Sequence, residues 1–175
     1  MRSKFGALVA LTMTIIIVSA GSVPASAAQS EHCVVRVIDK KPSGEFVTTP
    51  PECRGSYSEV LAAAGVAGAT KLDAGASSRE LQSIRTQSTT SFVIGTHYDG
   101  FSLTGSSFSV VGDDCLGGWL NLSSSWDNKV SSTSNGCFQV KHWDGDNITG
   151  SWESIFGEGG NLSGLNNKAN SIQYL

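Results

Sequence analysis

The chain has 175 residues, of which 12 are Lys or Arg, 15 are Asp or Glu and three are His, so its formal net charge is −3. This acidic balance argues against nucleic acid and anionic membrane surfaces as partners, and it is compatible with the binding of cations. The length suits one domain or two small ones.

The first 27 residues are typical of a secretory signal peptide. Arg2 and Lys4 give a positive start, residues 7–19 form an uncharged apolar run, and residues 25–27 (Ala-Ser-Ala) supply a small-residue cleavage pattern. The run is short for a membrane span, so an N-terminal membrane anchor is the weaker alternative. We expect an exported, soluble protein that begins near residue 28 and keeps 10 basic and 15 acidic residues.

Four cysteines remain in the predicted mature chain, and an even number in an exported protein suggests two disulfides. The sequence permits three pairings. We favour the local one, because each local pair brackets a plausible hairpin. A zinc site is the competing interpretation, but no Cys-x-x-Cys spacing exists and the histidines are scattered. The favoured bonds are Cys33–Cys53 and Cys115–Cys137.

Residues 28–90 predict a small α+β segment. The pattern Ser56-x-x-Glu59 matches a capping box, and Gly65 follows the next apolar stretch, which together predict a short helix. Residues rich in Ala, Gly, Ser and Thr then predict a loosely ordered connector. The predicted elements, in chain order, are a strand over 33–38, a turn-rich excursion over 39–53, a helix over 57–64 and a connector over 66–90 with a helical piece near 78–84.

From residue 91 onward the sequence predicts short antiparallel strands. Runs such as SFVIGTHY (91–98) and CFQVKHW (137–143) hold aromatic and β-branched residues, and Gly, Asp, Asn and Ser separate them. This alternation is typical of strands joined by tight turns. No helix is expected in residues 91–175.

An internal repeat organises this half of the chain. Residues 97–112 and 142–157 are identical at eight of 16 positions, with an offset of 45. An oxygen-rich turn follows each copy, at 127–132 and 166–171. One copy of four strands cannot bury a face alone, so we expect the two copies to form a sandwich. The residues expected between its sheets include Phe108, Val110, Trp126, Ile155, Phe156 and Leu165.

His97 and His142 occupy equivalent positions of the repeat, each beside an aromatic residue. Duplicated strand positions explain them more simply than a catalytic or zinc pair does. The sequence contains no Gly-x-Ser-x-Gly, and no pattern in it assembles a nucleophile, a base and an orienting group. We therefore predict that the protein is not an enzyme.

These repeats resemble the βγ-crystallin family. The Greek-key motif of that family opens with an aromatic residue, followed five positions later by an aromatic or apolar residue and two further on by Gly. The matching residues are Tyr98, Leu103 and Gly105 in the first copy and Trp143, Ile148 and Gly150 in the second. Calcium-binding members also carry a six-residue clamp, Asn/Asp-Asn/Asp-x-x-Ser/Thr-Ser. Residues 127–132 match it fully, and residues 166–171 match it except at Asn170.

The resemblance implies an all-β fold in which two Greek-key motifs form a βγ-crystallin-like sandwich, preceded by the small N-terminal α+β segment. The implied division is a signal peptide over 1–27, an N-terminal disulfide-bearing segment and connector over 28–90, and the βγ-crystallin-like domain over 91–175.

The resemblance also implies two calcium sites shared between the clamps. The third residue of each clamp offers its carbonyl oxygen, the fifth offers a side-chain oxygen to the other site, and the residue after the first aromatic adds a further oxygen. Asp127 and Asn166 would brace the turns. The implied ligands are Asp99, Lys129, Ser131, Asp144, Lys168 and Asn170.

The first functional hypothesis is therefore a secreted, monomeric, calcium-binding protein, and its plainest alternative is that the turns only close the corners of the sandwich. The fold family also suggests a secreted metalloprotease inhibitor, in which the Cys115–Cys137 bridge would stiffen the loop over 113–125. A small secreted toxin is the third possibility.

Overall fold

The computed structural model describes residues 30–85 and 91–175, so the predicted signal peptide and the predicted domain boundary lie outside the described residues. Within those two ranges, no helix has the length and apolar character needed to cross a membrane. The elements are β1 (His32–Lys40), β2 (Phe46–Thr48), β3 (Glu52–Arg54), α1 (Tyr57–Ala63), a 3₁₀ turn (Ala69–Lys71), α2 (Ser78–Arg85), β4 (Phe92–Tyr98), a second 3₁₀ turn (Phe101–Leu103), β5 (Ser107–Gly112), β6 (Gly118–Asn121), β7 (Ser132–Asn135), β8 (Gln139–Gly145), β9 (Thr149–Phe156), β10 (Gly160–Asn161) and β11 (Ser171–Tyr174).

Two sheets form a sandwich in which the repeats exchange strands. The first copy supplies β4 to β7 and the second supplies β8 to β11. The first sheet has the order β10-β7-β4-β5-β1-β2, with β3 also paired to β1, and the second has the order β6-β11-β8-β9. The third strand of each copy thus lies in the sheet of the other copy. The predicted pair of Greek-key motifs is confirmed, and neither copy completes its own sheet.

The N-terminal segment is part of the first sheet. Strand β1 pairs in parallel with β5, so that Cys33 lies opposite Phe108. The hairpin of β1 and β2 then reaches across the sandwich edge, where the Phe46 ring packs 6.1 Å from the Tyr174 ring. A side chain at Gly118 would overlap the Phe46 ring, so glycine is required there.

Apolar residues are buried on both faces of the first sheet. Its inner face packs on the second sheet, and its outer face packs on α1, α2 and the stretch between them. Buried residues of that stretch, including Val66 and Leu72, show that the expected loose connector is wrong over residues 66–85. A second capping box holds the end of this stretch in place. Glu80 accepts hydrogen bonds from the N–H and hydroxyl of Ser77 just before α2.

The sequence-predicted core is largely confirmed, with one exception. Phe108, Val110, Trp126, Ile155 and Leu165 are buried. Phe156 is 56% exposed, because it stands on the outer side of β9 next to Phe138, whose ring lies 6.1 Å away. The equivalent residue of the first copy is buried only because α1 and α2 cover that face of the first sheet.

Both predicted disulfides are present. Cys33 and Cys53 lie directly opposite each other on β1 and β3. Cys115 and Cys137 do not bracket a hairpin as expected, because β6 and β7 between them lie in different sheets. With separations of 20 and 22 residues, each bond can stabilise the fold by about 3 kcal/mol in the chain-entropy account.

The two repeat histidines meet at the centre of the sandwich. His97 on β4 and His142 on β8 are both 0% exposed. His97 Nδ1 lies 3.2 Å from His142 Nε2, and Thr133 Oγ1 lies 3.0 and 2.9 Å from these two nitrogens. Burial lowers the pKa of His97 well below its ordinary value, and repulsion from His142 adds to this effect. Burial also lowers the pKa of His142 to about 3, against the attraction of Glu153.

The neutral histidine pair predicts a loss of stability in mild acid. Below the ordinary histidine pKa of about 6.5, these two histidines are protonated in the unfolded chain but stay neutral in the folded core. The free energy of unfolding therefore falls as the pH drops. Two such groups give a slope approaching about 2.7 kcal/mol per pH unit. Urea unfolding between pH 7 and pH 5 measures this slope.

The variant His142→Gln should reduce that slope by about 1.4 kcal/mol per pH unit, since it removes one side chain that takes up a proton on unfolding. His32, whose pKa is also lowered by burial, contributes equally to both proteins. An unchanged slope in the variant would show that the pair does not cause the acid sensitivity.

Candidate metal centre

Each copy folds its first hairpin around an aspartate. The Asp99 Oδ1 atom accepts a hydrogen bond of 2.8 Å from the Ser106 N–H, and Asp144 Oδ1 accepts one of 2.7 Å from Ser151. A Cβ atom at Gly105, whose φ is +85°, would overlap the Asp99 carboxylate. Glycine is therefore needed here for both its conformation and its lack of a side chain. Asp99 and Asp144, two of the predicted ligands, each use one carboxylate oxygen to brace the hairpin of their own copy.

The last serine of each clamp locks the hairpin tip of the same copy. Ser132 Oγ accepts a bond of 3.0 Å from the Leu103 N–H and donates one of 2.6 Å to the Gly100 carbonyl. Ser171 Oγ makes the same pair of bonds in the second copy, to Ile148 N–H and to the Gly145 carbonyl. The two hairpin tips are therefore held by the same pair of hydrogen bonds, one of which comes from the N–H of Leu103 or Ile148.

The two clamps lie side by side. The Asn128 N–H donates to the Ala169 carbonyl at 3.0 Å, and the Asn167 N–H donates to the Val130 carbonyl at 2.9 Å. These reciprocal bonds follow from the exchange of strands, which brings the loop before β7 against the loop before β11. The clamps therefore meet as the resemblance requires, and each touches the hairpin of its own copy through a backbone bond, from Ser131 to Tyr98 and from Asn170 to Trp143.

Three oxygens converge at the first clamp. Ser131 Oγ lies 3.0 Å from the Asp99 carbonyl oxygen and 3.1 Å from Asn167 Oδ1. They come from the hairpin, from the first clamp and from the second clamp. Asn167 was not among the predicted ligands, although the second position of the clamp pattern is always Asn or Asp. The Lys129 side chain is exposed and lines a cavity together with Asp99.

Both clamps hold side-chain oxygens that are buried without a hydrogen-bond partner among the described residues. Asn170 Oδ1 is in this state, and so is the Oδ1 atom of the first residue of each clamp, Asp127 and Asn166. Asp127 and Asn166 therefore do not brace their turns through Oδ1, as had been expected. A buried oxygen without a partner costs about 1–3 kcal/mol, and a bound cation removes this cost. Oxygen donors of this kind fit a hard ion such as Ca²⁺, so the residues present fit the implied group.

The remaining predicted ligands lie on the same surface. Asp144 and Lys168 are exposed, and Lys168 donates its N–H to the Leu165 carbonyl within the turn at 3.0 Å. Asp144 follows Trp143, whose carbonyl accepts the Asn170 N–H, and Lys168 follows Asn167 of the first site, so both stay predicted ligands.

Glu153 on β9 holds the second clamp loop, and the sequence interpretation missed it. Its carboxylate accepts bonds of 2.9, 3.0 and 2.9 Å from the N–H groups of Ser163, Gly164 and Leu165, and a fourth from the Ser163 hydroxyl. Burial alone raises the pKa of this carboxyl, but these hydrogen bonds outweigh it and hold the pKa of Glu153 below its ordinary value. The first copy has Phe108 at this position, and its ring packs at a tilt 5.9 Å from the Trp126 ring.

No protein-family model and no curated protein matches the chain. Solved structures that match include a βγ-crystallin domain from Clostridium beijerinckii, at 19% identity over 46% of this chain and 94% of that one, with a TM-score of 0.38. A βγ-crystallin domain from Flavobacterium johnsoniae matches at 23% identity over 47% and 93%, with a TM-score of 0.37. A βγ-crystallin from an archaeon matches at 12% over 50% and 100%, with a TM-score of 0.39.

The fold of residues 91–175 is βγ-crystallin-like. The exchanged third strands, the glycine-dependent hairpins and the adjoining clamps are all present in the chain itself.

The contacts of Glu153 predict that it stabilises the second clamp. Glu153→Gln should lower the free energy of unfolding at pH 7 by about 1–3 kcal/mol, because an amide N–H₂ would face backbone donors. The wild-type advantage should be present above the ordinary glutamate pKa and vanish as the pH falls through the lowered value in the folded state. Urea unfolding at a series of pH values from 7 downward measures both effects.

Glu158→Gln is the matched control, since Glu158 pairs with Arg79 on the exposed surface. Its effect should stay below about 1 kcal/mol. Equal effects of the two variants would contradict a special role for Glu153.

Proposed function

We propose that the protein is an exported, non-enzymatic, calcium-binding module with a βγ-crystallin-like fold. The observation that carries the proposal is the meeting of the two clamps, which places side-chain and carbonyl oxygens from both copies at shared positions. Each site would then join loops that belong to different halves of the repeat.

The donor set supports a hard cation. Ser131, Asn167 and Asp99 offer only oxygen atoms at the first site, and Asn170 offers an unpaired buried oxygen at the second. The only group of three His, Cys, Asp or Glu side chains close enough to share a metal within the described ranges includes the disulfide-bonded Cys33 and Cys53. Soft metals therefore have no preformed thiolate site in the oxidised protein.

Particular residues would hold each ion. Ser131, Asn167, Asp99 and the Lys168 carbonyl would serve the first site. The equivalent residues of the second site are Asn170, Asn128, Asp144 and the Lys129 carbonyl. The ion would supply positive charge where partial negative charges of two loops meet, and it would stabilise the folded state by mass action.

Calcium should raise the melting temperature. For two sites with dissociation constants of about 10⁻⁴–10⁻³ M, typical of extracellular modules, about 10 mM Ca²⁺ should raise Tm by about 6–20 °C. Differential scanning calorimetry with and without calcium measures the shift. Ser131→Arg should abolish most of it, and Ser124→Arg, on the exposed loop nearby, should retain it.

Asn170→Asp provides a test that does not depend on the fit of a large side chain. The added charge should tighten calcium binding and lower Tm in chelator, because the carboxylate is then buried without a partner. Absence of both binding heat and a Tm shift in millimolar calcium would rule out the proposed function.

A second candidate function, inhibition of a secreted metalloprotease, is favoured by the loop around Leu116. Leu116 is 79% exposed. The loop is fixed on both sides of it, by the Cys115–Cys137 bond and by Lys40 Nζ, which donates to the Leu116 carbonyl at 3.1 Å. The exposed loop is shorter than predicted, since residues 118–121 form β6. A rigid loop with an exposed apolar residue loses little entropy on entering a cleft.

If this candidate is correct, micromolar protein should inhibit at least one member of a panel of secreted metalloproteases, and Leu116→Glu should remove the inhibition without changing Tm. Ile38→Glu, at a side chain that is 61% exposed on β1, should inhibit as the wild type does. Inhibition that survives in Leu116→Glu would exclude this loop, and no inhibition by the wild type would exclude the candidate.

A further inference from the structure

Strand β9 ends the second sheet with an edge that no other described strand covers. It spans eight residues and pairs only with β8. The opposite edge of the same sheet is covered, because the Trp119 N–H on β6 donates to the Gly44 carbonyl in the turn between β1 and β2 at 3.1 Å. Proteins commonly protect an exposed edge strand with Lys or Pro. The sequence of β9, TGSWESIF, contains neither.

The hydrogen bonds of the second sheet show which backbone groups of β9 face this edge. The Gly157 N–H donates to the Phe138 carbonyl at 2.9 Å, so Gly157 points toward β8. Gln139 instead exchanges bonds of 3.0 and 2.8 Å with Leu175, just after β11. Bonded and non-bonded positions alternate along an antiparallel pair, and the pairing with β8 is regular over residues 152–156. The N–H and C=O groups of residues 152, 154 and 156 therefore point to the free edge.

The same three residues place their side chains on the outer face of the second sheet. Ile155, which lies between two of them, is buried in the core and so marks the inner face. Trp152 is 54% exposed, and Phe156 lies beside Phe138, which is 75% exposed. Exposed aromatic side chains thus flank Ser154 on both sides of it, each two residues away.

This spacing makes the edge complementary to a second copy of itself. When two chains pair antiparallel with Ser154 opposite its own image, Trp152 of each chain lies opposite the partner's Phe156. All the outward N–H and C=O groups of residues 152, 154 and 156 then find partners. Aromatic residues at directly opposite positions stabilise an antiparallel pair. No like charges meet, because Glu153 is the one charged residue of β9 and the loop of its own chain holds its carboxylate.

We propose that the protein forms a two-fold symmetric dimer in which β9 pairs antiparallel with β9 of a second copy. The two second sheets then become one continuous sheet across the axis. This dimer differs from the monomer expected from the sequence, because a local pattern does not show which strand will lie at the edge of a sheet.

The exposed aromatic surface sets the strength of the dimer. Trp152, Phe156 and Phe138 together can bury about 300–450 Å² per copy, or about 600–900 Å² in the pair, before smaller groups are added. Specific, stable interfaces bury about 1,200–2,000 Å². We therefore expect a weak dimer whose population depends on the protein concentration.

Sedimentation velocity of the full mature chain at about 10 μM to 1 mM tests the association, with chelator present so that the result does not depend on calcium. The wild type should shift from monomer to dimer across this range. Trp152→Glu should stay monomeric, because it removes the aromatic pairs and adds charge to the edge. Lys141 Nζ lies 4.6 Å from the Trp152 ring, so the new carboxylate has a partner and Tm should change little. Ile38→Glu, on β1, should associate as the wild type does.

An introduced cysteine tests the register. Opposite residues of a bonded antiparallel pair have Cα atoms about 5.5 Å apart, a distance that a disulfide can span. Ser154→Cys should therefore form a covalent dimer in the presence of dissolved oxygen, visible on a non-reducing gel. Ser151→Cys, exposed on the same strand, should not, since its own image lies about 20 Å away in this register. The native cysteines are already paired, so the introduced thiol is the reactive one.

The outcomes decide for or against the proposal. A concentration-dependent dimer that Trp152→Glu loses, together with cross-linking of Ser154→Cys alone, supports it. A wild type that stays monomeric at about 1 mM would overturn it and leave the edge to a partner of another kind. Association that Trp152→Glu retains, or equal cross-linking of the two cysteine variants, would also overturn it. If Trp152→Glu fails to fold, the cross-linking result decides alone.

Discussion

The exchange of the third strand between the two repeats is the constraint on which the rest of the structure depends. Because β6 completes the second sheet and β10 the first, the core between the sheets draws apolar residues from both copies, such as Val110 and Ile172. A hydrophobic face buried in this way is available only when both copies are folded. The same exchange carries each clamp to the other, so the candidate metal centre is a product of the core and not an addition to it.

The N-terminal segment covers the parts of the first sheet that the two repeats leave exposed. Strand β1 covers the edge of β5, and α1 and α2 cover the outer face. Among the described residues, none gives such cover to the β9 edge of the second sheet, and β9 carries exposed Trp152 and Phe156. An edge strand with unpaired backbone groups is a site where other chains can pair. The two halves of the repeat therefore face very different surroundings despite their common pattern.

The sequence was sufficient for features that depend on local chemistry. The repeat and its glycines predicted the hairpins, the capping box at Ser56 predicted α1, and the oxygen-rich turns predicted the clamps. The sequence could not predict the parallel pairing of β1 with β5, since the partners are 75 residues apart and parallel pairing leaves no short-range pattern. Glu153 was missed for a related reason. The repeat comparison sets it against Phe108. The two residues fix their loops differently, by hydrogen bonds in one copy and by packing of aromatic rings in the other.

The meeting of His97 and His142 has a consequence for how the repeats can change. In a symmetric dimer of identical motifs, a residue near the two-fold axis faces its own image, and any substitution alters both sides of the contact at once. Joining the motifs in one chain removes that restriction, so each half can acquire its own residues. Ser131 and Asn170 show the result at the clamps, and the central histidines show a contact at which the two halves are still the same.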